Sequence, residues 1–214
     1  MNKTLLISNN LLMVFNFLGC IVYMFSGAVA GLRKDMDLGG MIALSIITGV
    51  GGGSIRDVLL HRTVFWTESH WYITLGIIVG IIVFFTYHYI DKVKPKIFNY
   101  VVNFLDAVGL VPFMIAGVSI AKAYHESETI CIFFGLITCI GGGILRDICC
   151  NEVPLVFKAQ LYATSVVIGS MIYLLLAQIN PLLAIIISAC LILITRILSI
   201  TYSINLPTRS HIRY

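Results

Sequence analysis

Residues able to do chemistry recur in two nearly identical stretches, Gly51-Gly52-Gly53-Ser54-Ile55-Arg56-Asp57 and Gly141-Gly142-Gly143-Ile144-Leu145-Arg146-Asp147. Each sets a guanidinium beside a carboxylate just after three glycines, in a chain that is 59% hydrophobic and 11% charged. An arginine near a bilayer centre costs roughly 3 kcal/mol on insertion scales and on the order of 10 or more in simulations, so it persists there only facing protein or water. Arg56, Asp57, Arg146 and Asp147 are therefore candidates for handling a charged solute. Glycine runs inside apolar spans predict helix breaks, which are tolerated where the freed backbone lines a cavity or is buried in protein. A plainer reading is that the triplets only permit close helix packing while the charges cap spans at an interface. The recurrence of triplet and charges together favours a shared functional site.

The elements that must position these residues are apolar spans. A mean hydropathy of +0.98, with far fewer charges than the quarter or so of soluble proteins, makes the chain an all-α polytopic membrane protein. Nothing in its 214 residues reads as a separate soluble module or linker, so one transmembrane domain over 1–214 is expected. Stretches of about 20 apolar residues run roughly over 10–32, 38–55, 71–90, 98–121, 129–145, 160–178 and 181–200, giving seven transmembrane helices. The second and fifth are expected to break at the glycine triplets. Trp66, Trp71 and Tyr72 at the start of the third span, and Tyr87 and Tyr89 at its end, read as interfacial anchors.

The triplets start at residues 51 and 141, and the same 90-residue offset aligns more than the motif. Asn16 falls on Asp106, Gly19 on Gly109, Gly27 on Gly117, Thr48 on Thr138, Tyr72 on Tyr162 and Thr74 on Thr164. The chain is thus read as repeat 1 (about 10–90), repeat 2 (about 98–178) and a seventh helix (about 181–200). An odd number of spans per unit makes the second copy enter from the opposite side, and in inverted repeats the pathway lies at the repeat interface. Adjacent helical residues point about 100° apart and do not face each other, so each arginine is expected to find a partner on another span. Asp106 is the first choice, with Asn16 its neutral equivalent. Ser54 followed by Asp57 could cap a helix resuming after the first break.

Orientation follows from Lys and Arg in the connections. One side collects Arg33, Lys34, Lys92, Lys94, Lys96, Lys158, Arg209 and Arg213, the other Lys3, Arg62 and Lys122, which puts the C-terminus in the cytoplasm and the N-terminus outside. The run 91–96 is a topology signal, with a lipid phosphate site a lesser option. Gly27-x-x-x-Gly31 and Gly76-x-x-x-Gly80 suit close helix packing. The six cysteines lack ligand spacing and read as core residues, and the five histidines as interfacial or solvated. Neither a metal nor an organic cofactor is expected. The net charge of +4 is explained by basic loops and membrane lipids, without nucleic acid.

The two GGG-x-x-R-D motifs, seven spans, the Asn16/Asp106 positions and Val-Pro-Leu around Pro154 together resemble the bacterial and archaeal relatives of the trimeric intracellular cation (TRIC) channels. Much of that bacterial family has also carried a glycine transporter label. The resemblance covers about residues 10 to 200 and implies a homotrimer in a prokaryotic inner membrane, each protomer with its own pore for monovalent cations such as K⁺. It further implies that the glycines of spans 2 and 5 shape a constriction near the motif Arg and Asp. Asn16 stands where an Asp is usual in the family, and Val64 where a Pro is common. Arginines in a pore disfavour cations, so a cation path needs them paired away, with freed carbonyls and the hydroxyls of Thr48, Thr138 and Ser54 lining the narrow part. The competing reading is a secondary transporter of a zwitterion such as glycine, Arg56 or Arg146 taking its carboxylate and Asp57, Asp106 or Asp147 its ammonium. No HExxH, GxSxG or comparable constellation points to an enzyme.

Overall fold

A computed structural model describes residues 3–86, 95–158, 161–202 and 204, with the side chains of 3–10, 95–99 and 158 left out. Among the described residues there are helices and turns but no strands. The helices are α1 (Lys3–Arg33), α2 (Leu38–Leu59), α3 (Phe65–Glu68), α4 (Trp71–Phe85), α5 (Pro95–Ala123), α6 (Glu128–Cys149), α7 (Leu155–Lys158), α8 (Tyr162–Ala177) and α9 (Pro181–Tyr202). Five of them contain a stretch long and apolar enough to cross a membrane, and α4 and α8 are shorter apolar helices. The protein is an all-helical membrane protein. Of the orientation charges, Lys92, Lys94, Arg209 and Arg213 and the side chains of Lys3, Lys96 and Lys158 lie outside the described residues, as do Tyr87, Tyr89, His88 and His211.

The 90-residue offset reappears in three dimensions. Helix α2 maps onto α6, and α3 onto α7, residue for residue at both ends. Four helix ends turn on a non-glycine residue with positive φ, and these also pair at that offset: Asp35 with His125, and His61 with Asn151. Each closes a Schellman arrangement, for example Arg62 N–H to the Asp57 carbonyl (3.0 Å) and Glu152 N–H to the Asp147 carbonyl (2.8 Å). Aspartate, asparagine and histidine are the residues that tolerate this conformation best after glycine.

Helices α1, α2, α5 and α6 make the centre. In each half the first helix packs on the second, while α1 crosses α5 and α2 crosses α6 between halves. Glycines set the first crossing: a Cβ on Gly109 would overlap the Tyr23 ring, and one on Gly19 would meet the Phe113 ring at 2.9 Å. Tyr23 and Phe113 are themselves offset partners and meet edge to face, centroids 5.1 Å apart. Helix α4 lies on α1 and α2, with Gly76 and Gly80 seated against Ile46 and Ile42. Helix α8 packs on α5, α6 and α9.

Two expectations need correction here. Helices α2 and α6 run unbroken through Gly51–Gly53 and Gly141–Gly143, and no glycine has a positive φ. Away from water there is no competing partner for the backbone, so the helical hydrogen bonds are kept. The triplets serve close approach instead. Helix α2 also continues to Leu59, so Ser54 does not cap a new helix; its hydroxyl bonds the Val50 carbonyl at 2.8 Å. Beside this turn the side chains of Trp66 and Tyr72 are engaged within the protein. The Trp66 Nε1–H donates to Ser54 Oγ at 2.8 Å, and Tyr72 packs edge-on against Phe65 and Phe17.

Candidate functional site

The site forms where α2 and α6 cross. A Cβ on Gly52 would overlap the Thr138 carbonyl oxygen, and one on Gly142 the Thr48 carbonyl oxygen, so only glycine lets the two backbones touch. The helices run antiparallel. Lys34, just before α2, bonds Glu152, just after α6, at 2.9 Å. At the other end the Arg62 guanidinium, after α2, lies over the Tyr124 ring before α6 at 5.8 Å. These four positions are offset partners, 34 with 124 and 62 with 152, so the two ends carry one device in different chemistries.

Thr48 and Thr138 do not line an opening. Both are fully buried, and each hydroxyl donates to the carbonyl four residues back in its own helix, Leu44 or Phe134, at 2.6 Å. Such back-bonding bends helices and occupies the hydroxyl. Their Oγ1 atoms lie only 2.5 and 2.7 Å from where a Cβ on Gly27 or Gly117 would be, too close for any residue but glycine. Ser54 is taken up by Val50 and Trp66.

Beside the crossing lie two buried charge clusters of the same design. Arg56 donates from Nε to Asp57 Oδ1 at 2.7 Å and from Nη1 to Asn16 Oδ1 at 3.3 Å. Arg146 donates from Nε to Asp147 Oδ1 at 2.9 Å and from Nη1 to Asp106 Oδ1 at 2.5 Å. The second oxygen of each motif aspartate caps the short helix that follows, Asp57 Oδ2 taking the Phe65 N–H and Asp147 Oδ2 the Leu155 N–H, both at 2.9 Å. Asp106 and Asn16 are thus the partners from other spans that the sequence predicts. Each arginine side chain is also long enough to fold around its helix to the adjacent carboxylate, so the partner from another span adds to that pair.

The clusters differ in how completely they are closed. Arg56 leaves Nη2 without a partner among the described residues. Arg146 also reaches Ser26 Oγ at 2.5 Å, with Ser26 coming from the other half of the molecule. Asp106 Oδ2 accepts from the Tyr162 hydroxyl at 2.7 Å, and Tyr23 lies 3.2 Å from that hydroxyl while donating to the Cys139 carbonyl at 2.8 Å. Arg196 of α9 stacks over the Tyr162 ring at 4.4 Å. Ser26, Tyr23 and Arg196 are not among the residues singled out from sequence. Arg196 carries the signal that selected Asp106, an ionisable residue inside an apolar span.

A cavity of about 270 Å³ opens beside the second cluster, its wall including Arg33, Lys34, Asn103, Arg146, Asp147 and Glu152. It joins the Lys34–Glu152 bridge at the mouth to the Arg146–Asp147 pair at the floor. Gly143, Asp106 and Tyr162 line a far smaller space next to it, about 10 Å³.

Comparison with known proteins decides the family. The model of the glycine transporter family matches twice, over residues 13–88 and 103–178, each bound shifted by the 90 residues of the repeat. A prokaryotic TRIC channel crystallised in 0.5 M KCl superposes with a TM-score of 0.84 at 30% identity, over 91% of this chain and 98% of the other. The chain belongs to the prokaryotic TRIC channel family. The TRIC orthologue of Rhodobacter sphaeroides is similar to a like degree, 30% identical with a TM-score of 0.83 over 90% of this chain and 98% of that one. Among curated relatives, a UPF0126 membrane protein of Deinococcus radiodurans is 32% identical over 98% of both chains. The UPF0126 inner membrane protein YadS of Escherichia coli is 30% identical over 74% of this chain and 75% of its own. A TRIC channel from C. elegans, at 16% identity and a TM-score of 0.61, shares the fold.

Proposed function

We propose that the chain is a cation channel for K⁺, with one pathway through each protomer of a homotrimer in a prokaryotic inner membrane. In this reading seven spans form two inverted three-helix units plus α9, with the N-terminus outside and the C-terminus cytoplasmic. The pathway runs along the charge clusters, and the crossing at Gly51–Gly53 and Gly141–Gly143 is its closed constriction. Support for a cation path comes from the relatives described as TRIC cation channels, three of them about 30% identical.

The observation that carries it in this chain is the pairing of the motif arginines. A free guanidinium repels cations from a pore. Here Arg56 is held by Asp57 and Asn16, and Arg146 by Asp147, Asp106 and Ser26, so their charge is matched within the protein. The same pairing argues against the glycine carrier, whose substrate carboxylate needs an arginine that Asp57 and Asp147 already occupy. Purified protein in K⁺-loaded liposomes tests the proposal. Downhill K⁺ flux without glycine dependence supports it; saturable glycine counterflow without K⁺ flux overturns it.

A further inference from the structure

Arg196 lies in the most apolar of the long helices yet is only 1% exposed. Its Nε and Nη1 have no hydrogen-bond partner among the described residues. A buried guanidinium left uncompensated is strongly destabilising. Among the described residues, those that act on it electrostatically include Tyr162, Asp106 and Tyr23. Tyrosines are neutral at ordinary pH, so Asp106 is the anion among them. Tyr162 stands between the two, its ring face under the guanidinium at 4.4 Å and its hydroxyl donating to Asp106 Oδ2 at 2.7 Å. Guanidinium groups over tyrosine faces are held by the ring quadrupole, more strongly when water is excluded.

The charges of the two halves show why this arginine is present. In the first cluster Asp57 faces two guanidiniums, the buried Arg56 at 2.7 Å and the partly exposed Arg62 at 3.7 Å, and the remaining partner, Asn16, is neutral, so no carboxylate is left over. In the second, Arg146 and Asp147 cancel, which leaves the charge of Asp106 over. The extra carboxylate occurs in the half against which α9 packs through α5 and α8, and α9 falls outside the 90-residue pattern. Arg196 brings the second cluster back to neutrality.

We propose that Arg196 is the counter-charge of Asp106, set one tyrosine ring away, and acts as a positioning residue that fixes the Tyr162–Asp106 pair and limits how strongly the second half of the pathway attracts cations. The conduction part of this inference rests on the channel reading; the pairing part does not. Two measurements on the full-length protein separate them. Thermal unfolding in detergent and reversal potentials in a KCl gradient are compared for wild type, Arg196→Gln, Arg196→Lys, Asp106→Asn and the double variant Arg196→Gln/Asp106→Asn.

Removing Arg196 leaves a net negative cluster, so Arg196→Gln raises the K⁺ over Cl⁻ permeability ratio and lowers the unfolding temperature. Asp106→Asn lowers the ratio. The double variant returns the ratio toward wild type, as opposite charge changes require, and in unfolding it loses less than the two single variants together and unfolds above Arg196→Gln. Arg196→Lys keeps the charge and stays nearer wild type than Arg196→Gln in both measurements. A residue that merely fills space gives additive effects and no rescue by lysine, and that result overturns the inference. If Arg196→Gln does not fold, folding of the double variant supports the pairing and its equal failure refutes it. Absence of current from every protein, wild type included, defeats the channel reading, while the unfolding cycle still decides the pairing.

Discussion

Replacing Gly142 by alanine adds one methyl group at the tightest point of the α2–α6 crossing. The new Cβ would overlap the Thr48 carbonyl oxygen, a backbone atom of a helix that cannot rotate aside. Restoring ordinary van der Waals separation requires the helices to part by about 1 Å. Overpacking of this kind costs typically about 1–3 kcal/mol, against a helix-propensity gain of roughly 1 kcal/mol from Gly to Ala. Gly143 supplies the control in the same triplet, because a Cβ there meets nothing closer than Asp106 Oδ2 at 3.7 Å. Gly143→Ala therefore keeps the propensity gain without the clash. The difference between the variants is the overpacking cost, and for a chain of this size each kcal/mol moves the unfolding temperature by about 2–4 °C. Thermal unfolding in detergent is expected to place Gly142→Ala several degrees below Gly143→Ala, with K⁺ flux in liposomes changed in Gly142→Ala. Equal unfolding temperatures and equal fluxes would refute the claim that the triplets exist for backbone approach.

Other consequences follow from the clusters and the two ends of the crossing. Arg146→Gln or Asp106→Asn alone breaks a buried pair and is expected to cost about 3–5 kcal/mol, with the double variant losing less than the sum; coupling below about 0.5 kcal/mol in denaturation would mean the pair is solvated. The Lys34–Glu152 bridge is about one-third exposed at both side chains, so Glu152→Gln should change stability by less than about 1 kcal/mol. The same variant should alter conductance in about 0.01 M KCl and match wild type near 1 M, where screening is almost complete. Single cysteines at positions 34 and 152 on a cysteine-free background should label from one face of the membrane, and those at 62 and 124 from the other; labelling of 34 and 124 from the same face would contradict the antiparallel arrangement.

Asp106 and Asn16 were legible in the sequence because polar residues inside apolar spans, paired at the offset of the glycine triplets, have little else to do. Sequence places the ends of spans 2 and 5 at 55 and 145, short of Leu59 and Cys149, because the charged Arg-Asp pairs look like span ends in sequence while the helices carry them inside. Three features were hidden for physical reasons. Glycine is a helix breaker in water, where solvent competes for the backbone, and that rule misleads for Gly51–Gly53 in surroundings without solvent. The Arg56–Asp57 and Arg146–Asp147 bonds escape an argument built on Cβ directions, because an arginine side chain is long enough to wrap back. The threonines at 48 and 138 have hydroxyls that satisfy themselves on their own helices, which no spacing reveals. Arg196 stood in plain view as the lone charge in the last span, but its partner is reached through the Tyr162 ring, a contact between elements far apart in sequence.

The central claim is that paired charges beside a glycine-packed crossing form a cation pathway in this chain. Single-channel recording of the purified protein in a planar bilayer under asymmetric KCl tests it most directly. Discrete picoampere steps that reverse close to the K⁺ equilibrium potential are expected. Steps that reverse near the Cl⁻ equilibrium potential, or a silent bilayer from protein that carries out glycine counterflow, would contradict it.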